Sequence, residues 1–228
     1  MSSLEAFETG EAAAQAAADA IVAQLMPPGP KRLMVTGGRG PGPVYDRLTK
    51  VDLDWSRVTV TLSDERFVGP DSPDSNERLA RERLLQARAA AARFVPLKGK
   101  GPTPADDAAA IEPAIQALTP FDAVLLGMGD DGHIASLFPS TPDIAALLDR
   151  DADRFVVGVE VPGLAPYLPR ISLTGRALFD SKLIVVLTSG DGKRALIERV
   201  LTDPAFAPPI SALMRQTRTP VRLLWSPA

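Results

Sequence analysis

The chain has no cysteine in its 228 residues. That absence excludes disulfides, thiolate nucleophiles, iron–sulfur clusters and thiolate zinc sites. Histidine occurs once, at His133. A histidine-rich metal site is therefore excluded, and only one side chain is of the type that titrates near neutral pH. Positive charge is not in excess either: 25 Lys and Arg stand against 28 Asp and Glu, a net charge of −3. Nucleic-acid binders and membrane-surface binders need clustered Lys and Arg, so neither class of partner is expected. No run of about 18 apolar residues offers a membrane span. Residues 4–25 are rich in alanine and carry Glu5, Glu8, Glu11 and Asp19 without a Lys or Arg. A signal or transit peptide needs positive charge there, so a soluble, cytoplasmic protein is the expectation.

What is present reads as an ordinary globular protein, 45% hydrophobic and 23% charged. Leu4, Phe7, Ala14, Ala18, Ile21 and Leu25 recur at helical spacing and predict that the chain opens with a helix, stopped by Pro27–Pro30. Short apolar strands are predicted at Arg32–Thr36, Val58–Leu62, Phe94–Leu97, Ala123–Gly127, Phe155–Val161, Ile171–Thr174, Lys182–Thr188 and Val221–Trp225. Helices are predicted between them at Pro43–Leu48, Asn76–Ala92, Ala105–Leu118 and Gly192–Leu201. Asp74 and Glu77 have the spacing of a capping box before the second of these. No internal repeat or linker interrupts the alternation. It predicts one α/β domain over residues 1–228, with a mostly parallel open sheet and helices on both faces.

In such a sheet, ligands bind beyond the carboxyl ends of the strands. Four polar or glycine-rich segments fall there. The first is Gly37–Pro43, GGRGPGP. It is neither a dinucleotide fingerprint nor a Walker A loop. Its glycines let backbone approach an anion, and its null alternative is a plain tight turn. The second is Asp64-Glu65-Arg66. Strand alternation puts Asp64 and Arg66 on one face, where a carboxylate meets sugar hydroxyls and a guanidinium grips phosphate or carboxylate. Its alternative is a solvated charge cluster.

The third segment, Gly127–Pro139 (GMGDDGHIASLFP), holds His133 just after Asp130 and Asp131. A carboxylate beside an imidazole fixes its tautomer and supports the charge it gains on taking a proton. Sequence leaves open which aspartate does this. The fourth is Ser189–Lys193, in which Lys193 opens a helix. Lys182, at the other flank of the preceding strand, and Arg170, before the strand-like Ile171–Thr174, are further cations that a shared anion pocket would recruit.

Four blocks in this order resemble the family of 6-phosphogluconolactonases, a wider family that also contains glucosamine-6-phosphate isomerases/deaminases. They are GGRGPGPVYDRL (37–48), SDERFVGPDSPDSNERL (63–79), LLGMGDDGHIASLFP (125–139) and PRISLTGRALFDSKLIVVLTSGDGKRAL (169–196). The resemblance implies a modified Rossmann-like fold and hydrolysis of 6-phospho-D-glucono-1,5-lactone, in the oxidative pentose phosphate route. It implies His133 as the base that activates water and Asp131 as the acidic residue before it. Asp64 and Arg66 fall on the family's strand-end pair. Gly37, Gly38, Arg39, Lys182 and Lys193 fall on its phosphate site.

Two departures are visible. The family loop usually reads G-G-[ST]-T-P, and here it carries Arg39 and Gly40, losing two hydroxyls and gaining a guanidinium. The Lys182 position is usually Arg, and Arg39 is expected to offset the monodentate lysine. The deaminase branch continues after its histidine to a Glu that completes an acid–histidine relay. Here Ile134–Pro139 contains no acidic residue, with Leu137 and Phe138 in place of polar ones. The expected reaction is direct attack by water, because the chain has no cysteine and no G-x-S-x-G elbow. The oxyanion donor is a backbone N–H of the Gly127–Gly132 loop or a guanidinium such as Arg170. No cofactor or metal is required, and the partner is a small phosphorylated sugar lactone.

Overall fold

The computed structural model describes residues 3–160 and 167–228. Ten strands occur among them: β1 (Leu4–Ala6), β2 (Lys31–Val35), β3 (Val58–Leu62), β4 (Asp64–Arg66), β5 (Arg93–Val95), β6 (Ala123–Leu126), β7 (Val156–Val159), β8 (Arg170–Leu173), β9 (Ile184–Ser189) and β10 (Val221–Ser226). The main helices are α1 (Gly10–Leu25), α2 (Gly42–Leu48), α3 (Asn76–Arg83), α4 (Pro104–Leu118), α5 (Ile144–Leu147), α6 (Gly175–Leu178), α7 (Asp191–Thr202) and α8 (Ile210–Arg215). None is long and apolar enough to cross a membrane.

Seven strands form a sheet in the order β1-β10-β9-β6-β2-β3-β5, every neighbouring pair parallel. The fold class is the expected α/β one. β6 is buried at every position, and Ile184–Val186 of β9 likewise, as a parallel sheet covered on both faces requires. α1 packs on β6, β9 and β10. It presents Ala13, Ala14, Ala17 and Ala18 as its buried stripe, with Ile21 and Leu25, and small side chains of this kind allow close approach to the sheet.

The chain runs outward from β2 through β3 to β5 and then returns to β6 on the other side of β2. The strand order therefore reverses between β2 and β6. The crevice at such a switch point, beyond the carboxyl ends, is where open α/β sheets bind ligands.

A second sheet, β4-β8-β7, is antiparallel. It follows directly from β3, since only Ser63 separates β3 from β4. Its register sets Arg66 opposite Arg170 and Asp64 opposite Ser172. α4 packs on β7 and β8 of this small sheet.

Several local expectations are corrected. The chain does not open in a helix: Leu4–Ala6 pairs in register with Leu223–Trp225 as an edge strand. Helix α1 starts at Gly10, where the Thr9 side chain accepts the Ala12 N–H at 3.2 Å. A three-residue strand carries too little pattern to compete with the helical periodicity that follows it. The helix expected over Asn76–Ala92 ends at Arg83, and a 3-10 turn follows at Ala87–Ala91. Ala87 sits at φ +49°, which no continuous helix admits. The cap of α3 is Ser75, accepting the Arg78 N–H at 3.1 Å, and not Asp74. The strand expected to reach Val161 is described as Val156–Val159, and Val161 itself lies outside the described residues.

Candidate active site

The carboxyl ends of β2, β3, β6 and β9 open onto one cleft of about 740 Å³. Gly37, Gly38 and Arg39 line it from the loop after β2, and Asp64 and Arg66 from β4. His133, Arg170 and Lys193 complete it from the loop after β6, from β8 and from α7.

The glycine loop is shaped by what surrounds it. A Cβ on Gly37 would stand 1.8 Å from Oδ1 of Asn76, so only glycine fits against that carboxamide. Gly38 has φ +84°, a conformation that side chains disfavour. Tyr45 from α2 donates its hydroxyl to the Thr36 carbonyl beneath the loop. Arg39 is exposed and makes no hydrogen bond or ion pair with a described residue.

Asp64 is buried, and its carboxylate accepts hydroxyl protons from Ser63 at 2.9 Å and Ser136 at 2.7 Å. The second of these ties β4 to the histidine loop. Ser136 is held in turn by its N–H, which donates to Oγ of Ser172 at 3.1 Å. Arg66 donates to the Asp74 carbonyl at 2.6 Å, while its Nε is buried without a partner among the described residues. Across the strand pair, Arg170 donates from Nε to the Leu168 carbonyl at 3.0 Å. Burial pushes the Arg170 guanidinium below its ordinary range, and the like charge of Arg66 adds to the effect. Two partly desolvated guanidiniums side by side form a site that an anion stabilises.

The histidine loop is a tight glycine turn. Gly129 donates its N–H to the His133 carbonyl at 2.9 Å, and Gly132 donates to the Gly129 carbonyl at 3.1 Å. The imidazole lies over Gly129, where a Cβ would stand 2.1 Å from Nδ1. His133 Nδ1 is 2.6 Å from Asp131 Oδ1. Of the two candidate aspartates, Asp131 therefore holds the ring. Asp130 is 97% exposed and lies 3.6 Å from the Lys193 ammonium. Hydrogen-bond logic assigns the proton to Nδ1, leaving the Nε2 lone pair free. The ring packs against Phe138 with centroids 4.4 Å apart, and the Arg170 guanidinium lies 5.8 Å from the same Phe138 ring. His133 and Arg170 are thus spaced by one shared aromatic. Ala135, also on the cleft, is held at φ +50°.

Lys182 is a correction. It lies before β9, at the amino edge of the sheet, and bonds Asp122 at 2.8 Å beside Lys31. The six residues of β9 separate it from the Lys193 edge, about 20 Å at ~3.3 Å per residue. Residues that flank a strand at its two ends cannot share a site at one of them. Glu65 and Ser136 are buried polar residues that join the cleft segments without a local sequence signal, and Asn76, within the second block of the resemblance, joins them through long-range contacts with β4 and the glycine loop.

The chain matches the family described as Glucosamine-6-phosphate isomerases/6-phosphogluconolactonase over residues 5–225. It is 44% identical to a 6-phosphogluconolactonase of Caulobacter vibrioides, over 98% of this chain and 97% of that one. A 6-phosphogluconolactonase of Rhizobium meliloti is 39% identical, over 97% of each chain. The crystal structure of a 6-phosphogluconolactonase from Shewanella baltica superposes with a TM-score of 0.91 at 36% identity, covering 99% of this chain and 98% of that one. By sequence and by fold, the chain belongs to the glucosamine-6-phosphate isomerase/6-phosphogluconolactonase family.

Proposed function

We propose that the chain hydrolyses the ring ester of 6-phospho-D-glucono-1,5-lactone to 6-phospho-D-gluconate, in the oxidative pentose phosphate route. The observation that carries this reading is the His133–Asp131 pair, at 2.6 Å, on a cleft whose other walls carry Arg39, Arg66, Arg170 and Lys193. The relatives that bear this activity in their names match over nearly the whole chain. On this reading residues 1–228 act as one catalytic unit in the cytoplasm, the compartment in which a phosphorylated sugar that does not cross bilayers unaided is retained once formed there.

A six-membered lactone is already a reactive ester, so a positioned base and a charge-stabilising partner suffice. Water adds to C1 while His133 Nε2 takes its proton, and Asp131 supports the imidazolium that forms. Negative charge develops on the former carbonyl oxygen. Arg170, set beside His133 by Phe138, neutralises it. Collapse breaks the bond from C1 to the ring oxygen, which receives the proton from His133. The products are a free hydroxyl and a carboxylic acid, which ionises to the carboxylate by releasing water's second proton to solvent. Lys193, Arg39, Arg66 and the N–H groups of Gly37 and Gly38 hold the distant phosphate, and that grip aligns C1. Asp64 orients sugar hydroxyls. The deaminase relay lacks its carboxylate, and the space beside the imidazole is filled by Phe138.

The test generates the lactone in situ from glucose 6-phosphate and follows its disappearance by NMR at controlled pH. Acceleration above the spontaneous rate, with no ammonia released from glucosamine 6-phosphate, is the expected result. A rate equal to background overturns the reading.

A further inference from the structure

Glu65 is 1% exposed and points away from the cleft, on the opposite strand face from Asp64 and Arg66. Its carboxylate accepts four hydrogen bonds. Oε1 takes the N–H groups of Arg66 and Asn76, each at 2.7 Å. Oε2 takes the Glu77 N–H at 2.7 Å and the Ser75 hydroxyl at 3.0 Å. No Lys or Arg side chain among the described residues forms an ion pair with it. Burying an unpaired carboxylate is costly unless every lone pair is used. The Ser75 side chain accepts only the Arg78 N–H of helix α3, so Glu65 also satisfies the otherwise orphaned N–H groups of Asn76 and Glu77.

What the carboxylate gains is a tie between three segments. Asn76, fixed by its backbone N–H on Glu65, donates from Nδ2 to the Asp64 carbonyl at 2.8 Å. Its carboxamide also fills the space against Gly37, where not even one methyl group fits. Asn76 itself lines the cleft. A displacement of α3's first residue therefore moves the glycine loop and the β4 backbone together.

We propose that Glu65 is a positioning residue for the anion grip, setting Arg66 directly and the glycine loop through Asn76. This rests on the reading of the cleft as a sugar-phosphate site. The mechanism assigns it no contact with the reacting atoms. Its loss weakens the hold on substrate more than it weakens the base His133.

Glu65→Gln keeps the size of the side chain but replaces one acceptor oxygen with an amide NH₂ aimed at N–H donors. KM for the phosphorylated lactone is expected to rise about tenfold, with kcat within about threefold of wild type. A purely structural role would lower the active fraction, so kcat would fall at constant KM, and that result overturns the proposal. Should Glu65→Gln fail to fold, Asn76→Ala decides, because it retains the backbone bonds to Glu65 and the Ser75 cap. The same rise in KM is expected there, and an unchanged KM overturns the proposal. Wild-type protein without lactone turnover would sink the functional reading itself. Wild-type turnover with an unchanged KM in the variants sinks only the role of Glu65.

Discussion

Oδ1 of Asp131 accepts two bonds from the same residue, the His133 ring at Nδ1 (2.6 Å) and the His133 backbone N–H (3.1 Å). One oxygen thus fixes the imidazole at both of its ends, the ring and the root. The backbone bond is the local turn that an aspartate makes with the N–H two residues on, and the Gly129 N–H bond to the His133 carbonyl holds the same residue from the other side. The geometry determines which nitrogen is available to take a proton from water.

Asp131→Asn is expected to lower kcat by about 10²-fold or more, because an amide does not stabilise the imidazolium. Asp130→Asn, at an exposed side chain, is expected to stay within about twofold. Steady-state kinetics on the two variants side by side check this, and equal losses would remove the distinction between the aspartates.

Gly129→Ala places a methyl group where Nδ1 of His133 stands, 2.1 Å from the new Cβ. The ring must move, and a displacement of about 1 Å costs about 10²-fold in rate. A variant that folds with native circular dichroism and keeps wild-type kcat would show that the ring position is not critical.

Lys193→Ala and Arg39→Ser each remove a cation from the cleft. Each is expected to raise KM for the phosphorylated lactone by about tenfold, the worth of a charge-assisted hydrogen bond. Unphosphorylated glucono-lactone should be hydrolysed as before. An unchanged KM in Arg39→Ser would mean that the guanidinium does not replace the hydroxyls missing from the loop.

Lys182→Ala is expected to leave KM unchanged and to cost about 1 kcal/mol of stability or less. Its partner Asp122 is buried, which alone would push its carboxyl up. The hydrogen bonds from Lys182 and the Arg32 N–H, with the charge of Lys31, hold it below its ordinary range instead. A depressed carboxyl contributes stability above its unfolded-state pKa and loses it as pH falls through the folded-state value. Urea midpoints should therefore differ between wild type and Asp122→Asn at neutral pH and converge as the pH falls through the lowered folded-state value of Asp122. A gap that persists in acid would assign the loss to packing.

The elements with strong local pattern were legible in the sequence. Ala123–Leu126 and Ile184–Val186 are apolar and buried on both faces, and the glycine turns announce themselves after these strands. Asp64, Arg66, His133 and Lys193 come together because they follow the carboxyl ends of parallel strands, and Arg170, which opens β8, joins them through its antiparallel pairing with Arg66. What escaped reading depends on long-range pairing. Leu4–Ala6 is a strand only because Leu223–Trp225 lies beside it. Lys182 precedes β9, at the opposite end of the strand from the cleft, and a position in a sequence block does not show which end of a strand it occupies. Glu65 and Ser136 act across 11 and 72 positions in the chain, to Asn76 and Asp64, and no local spacing reveals such bonds.

The most direct measurement is the rate of lactone disappearance with His133→Ala, compared with wild type and with spontaneous hydrolysis at the same pH. The expected outcome is a folded protein whose kcat has fallen by about 10²–10⁴-fold. A His133→Ala variant that turns over lactone at the wild-type rate would contradict the assignment of water activation to this imidazole.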